Sequence, residues 1–214
     1  MPSRTEDLGA TRFAILGQLA LRDWSSYELA QSMRRTVRFF WPRAESVIYA
    51  EAKRLEADGY AASRTEPAAD GSRRTRTVYS ITKEGRRALA RWLATTPSPP
   101  QMYSEPLLRV HLSRFGSLSD LSQAIDVADA AARDILQVAE AVAREYVAGT
   151  HLFQEEAHIR GLLFDGLVAQ AQSLQQWASA ARSEVARWPD IRGDDKATRR
   201  AIGRMRAFLG GRDA

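Results

Sequence analysis

In the stretch WPRAESVIYAEAKRLEADGY (Trp41–Tyr60), Arg43, Ser46, Ala50 and Lys53 recur at helical spacing on one side. Ala44, Ile48, Ala52 and Leu55 recur on the other. The second set makes a modest inner face. The first makes a small, polar, basic strip with little bulk and little acid. A helix that only covers a core has no need of such a strip, whereas a helix that enters the major groove of a duplex does. Ala50 permits close approach and can pack on a thymine methyl, while the Ser46 hydroxyl and the Lys53 ammonium supply hydrogen bonds to base edges. Arg43 and Arg54 flank the strip at phosphate distance, and Tyr49 stands at its edge with its hydroxyl in reach of a phosphate. The ordinary alternative is an amphipathic helix with a solvated outer face.

A second cluster, Arg73, Arg74 and Arg76, surrounds a Gly-Ser tip in GSRRTRTVYSIT. Guanidinium groups are planar and weakly hydrated, which suits phosphates and narrow minor grooves. A solvated charge run is the plain alternative.

Residues suited to catalysis are few. His111, His151 and His158 are the only histidines. His151 and His158, seven apart with Glu155 between, would line up on a helix. No carboxylate cluster, HExxH spacing, glycine-rich phosphate loop or nucleophile elbow accompanies them, so neither an enzyme nor a cofactor is expected. Cysteine is absent, which excludes disulfides and cysteine-ligated zinc. No stretch reaches the roughly 18 apolar residues of a membrane span, and no signal-peptide core opens the chain, so a cytoplasmic location is expected.

The elements that must hold these residues follow from periodicity. Thr11–Arg22 and the stretch after Ser25 or Ser26 have helical spacing, with a serine placed to cap the second. The Trp41–Tyr60 stretch is the third helix, with Pro42 in its first turn and Gly59 as its stop. Alternation through Thr75, Thr77, Tyr79 and Ile81, after a turn at Asp70–Gly71, marks a two-stranded hairpin. Thr82 caps a fourth helix. The proline-rich Thr95–Pro100 then separates residues 1–95 from a linker (96–104), a helical domain (105–189) and a basic tail (190–214). Net charge divides as +6 over residues 1–95, −4 over 96–189 and +3 over 190–214, so the front half suits a polyanion.

In the helical domain, Leu121, Ile125, Ala128, Ala132, Ile135, Ala139, Val142 and Tyr146 keep a heptad alternation that Gly149 closes. A second long helix from near His151 to Trp188 carries two apolar rows. Phe164, Leu167 and Leu174 fall in one, and Leu163 and Trp177 in the other. One folded-back partner can cover one row only, so the other is expected to meet a second subunit about a two-fold axis.

Three helices, a basic hairpin and a fourth helix make a winged helix-turn-helix, so the expected fold is mainly α with a small two-stranded β wing. The stretches AILGQLALRDWSSYELAQSM, SVIYAEAKRLEADGYAASR and GSRRTRTVYSITKEGRRAL resemble the PadR transcriptional regulators over about residues 10–94. Ala44 and Ala52 stand where that family more usually has Ser and Leu. The helical remainder looks like the long-extension, virulence-activator type. The resemblance implies a regulator of double-stranded DNA, most often a repressor, with Tyr49 on the phosphates and control by small aromatic ligands. Tyr146, Phe153, Phe164, Trp177 and Trp188 are the aromatic candidates for such an effector or for the dimer. The rival is a winged helix kept as a protein-interaction module, which an acidic strip would have favoured.

Overall fold

The computed structural model describes residues 9–67 and 74–210. The chain divides into two compact units, residues 1–100 and 101–214.

The first unit has the order α1 (Ala10–Leu21), β1 (Trp24–Ser25), α2 (Ser26–Thr36), α3 (Glu45–Ala57), β2 (Ala61–Pro67), β3 (Thr75–Ile81) and α4 (Lys83–Leu93). The amphipathic α1 is central, burying Phe13, Ile15, Leu16 and Leu19 against α2, α3, α4 and β3. Leu29 and Met33 of α2, Ile48 and Leu55 of α3, and Ala88 of α4 complete the core. Buried Gln18 is satisfied by Ser32, whose Oγ donates to Oε1 at 2.8 Å, and by Thr36 at 3.4 Å. The indole of Trp24 donates to the Gln18 carbonyl at 2.8 Å. This is how buried polar groups avoid a desolvation penalty.

Local signals set the helix ends. Ser25 and Glu28 form a capping box on α2, and Thr82 Oγ1 accepts from Gly85 N at 3.0 Å to start α4. Gly59 ends α3 at φ 80°, with Tyr60 N bonded to Leu55 O and Gly59 N to Glu56 O, the double bond of a Schellman stop. A Cβ on Gly85 would collide with the Tyr60 carbonyl oxygen, so α4 can pass this close only with glycine there.

Two expectations for this unit are corrected. The sheet has three strands in the order β1-β3-β2, all antiparallel, with Trp24 opposite Tyr79 and Ala61 opposite Ile81. Two residues are too few to show a strand period, so β1 was invisible to alternation. Likewise, α3 starts at Glu45, not around Pro42. Ala44 is its extended, exposed N-cap, with no side-chain bond to the helix. Residues 41–43 are held outside the helix by Thr11, whose Oγ1 accepts from Trp41 Nε1 at 3.0 Å and Arg43 Nε at 3.2 Å. The Asp70–Gly71 turn lies outside the described residues.

The second unit comprises α5 (Glu105–Leu112), a 3-10 turn at Ser113–Phe115, α6 (Leu118–Val147), a second at Gln154–Glu156, α7 (Ala157–Val185) and α8 (Asp195–Gly210). The pair α6 and α7 forms a long antiparallel hairpin, with Arg182 on Asp126 at 2.8 Å and Asp129 at 3.1 Å. Ser117 and Asp120 box the start of α6, and Gly149 at φ 70° ends it. The core of this unit is Leu121, Ile125, Ala178 and Val185, with Val110, Leu118, Trp177 and Trp188 packed on it. Trp177, expected in an outward row, is half-buried and packs against the intrachain core. The second long helix begins at Ala157, so His151 lies before it and does not share a helix with His158. The expected tail holds α8. No helix among the described residues is long and apolar enough to cross a membrane.

Candidate nucleic-acid interface

On α3 the inner face is fixed by Ile48, 2% exposed, with Ala52 and Leu55. A helix rotates about 100° per residue, so Ser46, Ala50 and Lys53 fall on the far side, and all three are exposed. Tyr49 is half-buried at the edge of the strip. Val47, 37% exposed, borders the other edge. By spacing alone, a valine at this position is indistinguishable from a core residue.

The acids near the strip are all engaged. Glu45 meets Arg34 at 3.4 Å, and Glu56 accepts from Ser63. Arg12 of α1 donates through Nε to Glu51 at 2.6 Å and through Nη1 to Asp58 at 2.9 Å. Arg54 adds a third bond, to the other oxygen of Glu51, at 2.6 Å. Burial pushes the Glu51 carboxyl upward, but the hydrogen bond and charge of Arg12, with the charge of Arg54, outweigh it and leave the pKa below the ordinary 4.5. Glu45, Glu51 and Asp58 are thus paired with arginines of the same domain, Glu56 accepts a hydroxyl only, and Lys53 is the strip's own cation.

Arg43 and Arg54 are exposed but already oriented. Arg43 donates to Thr11 and to the Pro42 carbonyl and lies 4.6 Å over the Trp41 ring, while Arg54 holds Glu51. A guanidinium has five donors, so each keeps some for a phosphate. Nearby, Met33, Val37, Arg38, Trp41, Pro42 and Ile48 line a shallow depression at the α2–α3 connection. Thr11 and Arg12 are supports of this surface that the sequence did not reveal, because their partners lie about thirty to forty-six positions along the chain.

On the wing, Arg74 is exposed at the start of β3. Arg76 is half-buried between Glu66 at 3.1 Å and Glu28 at 3.7 Å, which ties it to the base of the sheet. Arg73 lies outside the described residues.

The residues expected for dimer or effector separate into groups. Phe164, Leu167 and Leu174 are half-buried along α7, Leu163 is exposed, and Trp177 and Trp188 are half-buried against the core of the unit. Tyr146 and Phe153 meet at the α6–α7 corner. His151 stacks on Tyr146 at 4.0 Å, its Nδ1 accepts from Phe153 N at 3.1 Å, and Arg160 lies 4.3 Å over the Phe153 ring. Burial raises the Tyr146 phenol above its ordinary pKa.

Residues 15–91 match the model of the transcriptional regulator PadR-like family. Over 101 residues the chain is 29% identical to the negative transcriptional regulator PadR of Bacillus subtilis, a match covering 47% of this chain and 54% of that one. Over 86 residues it is 34% identical to a probable transcriptional regulator of Mycobacterium tuberculosis, covering 40% and 44%. The chain thus matches about half the length of these curated relatives. The fold is that of Bacillus subtilis PadR in a crystal structure with operator DNA, at TM-score 0.67 and 20% identity over 83% of this chain and 99% of that one. The same protein in complex with p-coumaric acid superposes at TM-score 0.61, again at 20% identity, over 83% and 99%.

Proposed function

We propose that the protein, whose residues 15–91 match the PadR-like family of transcriptional regulators, is a homodimeric DNA-binding regulator that reads an inverted-repeat operator. The observation that carries the proposal is the exposed Ser46–Ala50–Lys53 strip on a helix whose Glu45 and Glu51 are paired with arginines of the same domain. In that reading α3 enters the major groove. Lys53 and Ser46 hydrogen-bond base edges, Ala50 and Val47 pack on thymine methyls, and Tyr49, Arg43 and Arg54 hold phosphates. The wing, through Arg73 and Arg74, follows the adjacent backbone. Arg76 acts through the sheet, holding the wing to α2.

The open apolar rows of α6 and α7 support a two-fold dimer. Two winged helices about that axis would meet half-sites roughly 34 Å apart or a multiple of it. Bacillus subtilis PadR is solved with operator DNA and with p-coumaric acid. Both ligand classes are carried to this chain as part of the proposal, with repression released by a small aromatic acid. Footprinting on the DNA upstream of the protein's own coding region tests the reading. A protected inverted repeat supports it. Uniform weak binding with no protected site would favour a winged helix serving as a protein-interaction module. Tryptophan quenching by an aromatic acid that leaves operator affinity unchanged would remove the switch.

A further inference from the structure

The helix α8 begins after Gly193, with Asp194 Oδ1 accepting from Ala197 N at 2.7 Å. It is anchored to the C-terminal end of α7 through one carboxylate. Glu184 takes Arg200 Nη2 at 2.8 Å and Arg204 Nη1 at 3.2 Å. Beyond that anchor the helix turns an apolar face outward. Ile202, Met205 and Leu209 share one row, Phe208 lies beside it, and Met205 is 66% exposed. A second open apolar surface lies at the other end of α7, where Leu152, Ile159 and Leu163 are exposed and Leu162 is 75% exposed.

The two surfaces cannot cover each other within one chain. Glu184 and Leu162 are on one continuous helix, and their spacing in sequence corresponds to roughly 33 Å at 1.5 Å per residue. They are complementary in charge as well as in apolar character. Asp195–Gly210 holds five Lys and Arg against one Asp, whereas residues 140–165 hold two Arg against five Asp and Glu. Antiparallel pairing of two α7 helices about a two-fold axis sets the C-terminal end of each beside the N-terminal end of the other.

We infer that α8 of each subunit docks on the α6–α7 corner of a second copy of this chain, so that the contact is made twice in the dimer. The inference rests on the homodimer reading and adds to it the segment that locks the pair. The covered face is Ile202, Met205 and Leu209 against Ile159 and Leu162, rimmed by Arg199 and Arg206 facing Glu155 and Asp165. The anchor at Glu184 presents α8 in a fixed pose, which lowers the entropy lost on docking.

The chain has no cysteine, so an engineered pair reports the contact directly. Full-length protein carrying both Met205→Cys and Leu162→Cys is oxidised in dilute solution and run on a non-reducing gel, with light scattering alongside. A disulfide needs Cα atoms within about 7 Å, which a single chain does not offer these positions. The expected result is a covalent dimer from the double variant and from a mixture of the two single variants, with none from either single variant alone. Dimer by light scattering without that band overturns the inference and leaves the homodimer standing. Monomer by light scattering overturns both. A crosslink from Met205→Cys alone would place α8 against α8. Retention on phosphatidylglycerol vesicles that Leu209→Glu abolishes would assign α8 to an anionic bilayer. Either outcome overturns the docking.

Discussion

In the N-terminal unit, α1 buries Phe13, Ile15, Leu16 and Leu19 along its length, and α2 and α3 meet it with Leu29, Met33, Ile48 and Leu55. In the C-terminal unit, α6 is buried from Leu121 to Ala132 but only half-buried from Ile135 to Tyr146. Across from that second half, α7 exposes Ile159, Leu162 and Leu163. The first unit closes its core on itself and leaves a polar, basic surface outside. The second closes one end of its core and leaves the other apolar. A closed core with an outward basic strip suits a ligand that water also solvates, whereas an apolar surface left open suits another protein chain. In the proposed reading, recognition falls to the first unit and assembly to the second.

The sharpest way to break this division is to end the chain at Pro100. The remaining unit should stay folded and monomeric, and its affinity for a whole inverted repeat should fall by roughly 10²–10⁴, because linking two weak readers acts through effective concentration. Light scattering and binding to a half-site and a full site decide it. A truncated chain that remains dimeric at full affinity would move assembly into the first unit.

A matched pair of leucines sharpens the same contrast. Leu55→Ala in the closed core should cost about 2–5 kcal/mol of unfolding free energy, since buried leucine leaves a cavity. Leu162→Ala on the open corner should change the stability of dissociated chains by less than about 0.5 kcal/mol, yet weaken the dimer. Chemical denaturation over a range of protein concentrations separates the two effects.

Within the basic surface, helix and wing should differ. Lys53→Ala should reduce discrimination between operator and altered operator by about 1–3 kcal/mol. Arg74→Ala should weaken all duplexes alike and flatten the salt dependence by about one unit. The opposite outcome, base preference following Arg74, would exchange the roles given to α3 and the wing.

These contrasts were legible in the sequence to different depths. Capping residues and stops are local, so Ser25, Thr82, Gly59 and Gly149 marked helix ends from a few residues alone. The strip on α3 was legible because a buried Ile48 fixes the rotation of everything else on that helix. What the sequence left hidden depends on distant partners. Thr11 and Arg12 hold α3 across a gap in sequence that no period records. Trp177 could lie on either side of α7, and only the folded structure shows it packed against the core of its own unit. The helix α8 interleaves arginines with its apolar row, and its anchor, Glu184, lies in the preceding helix.

The smallest expected effect concerns that anchor. Hydrogen bonds from Arg200 and Trp188, with the charges of Arg200 and Arg204, lower the Glu184 carboxyl from 4.5 to about 2. A folded-state pKa below the unfolded one contributes stability that is complete above the unfolded value and lost as pH falls through the folded one. The hold on α8 should therefore be constant above about pH 4.5 and weaken between there and pH 2. Hydrogen exchange of α8 amides against pH reads it, with Glu184→Gln showing faster exchange at neutral pH.

The central claim, that the strip on α3 and the wing meet a polyanion, is tested most directly by titrating duplex DNA containing the footprinted site with the full chain across a range of salt. If about six phosphates are neutralised, the logarithm of affinity should fall with the logarithm of salt at a slope near −5. A slope near zero would contradict the account.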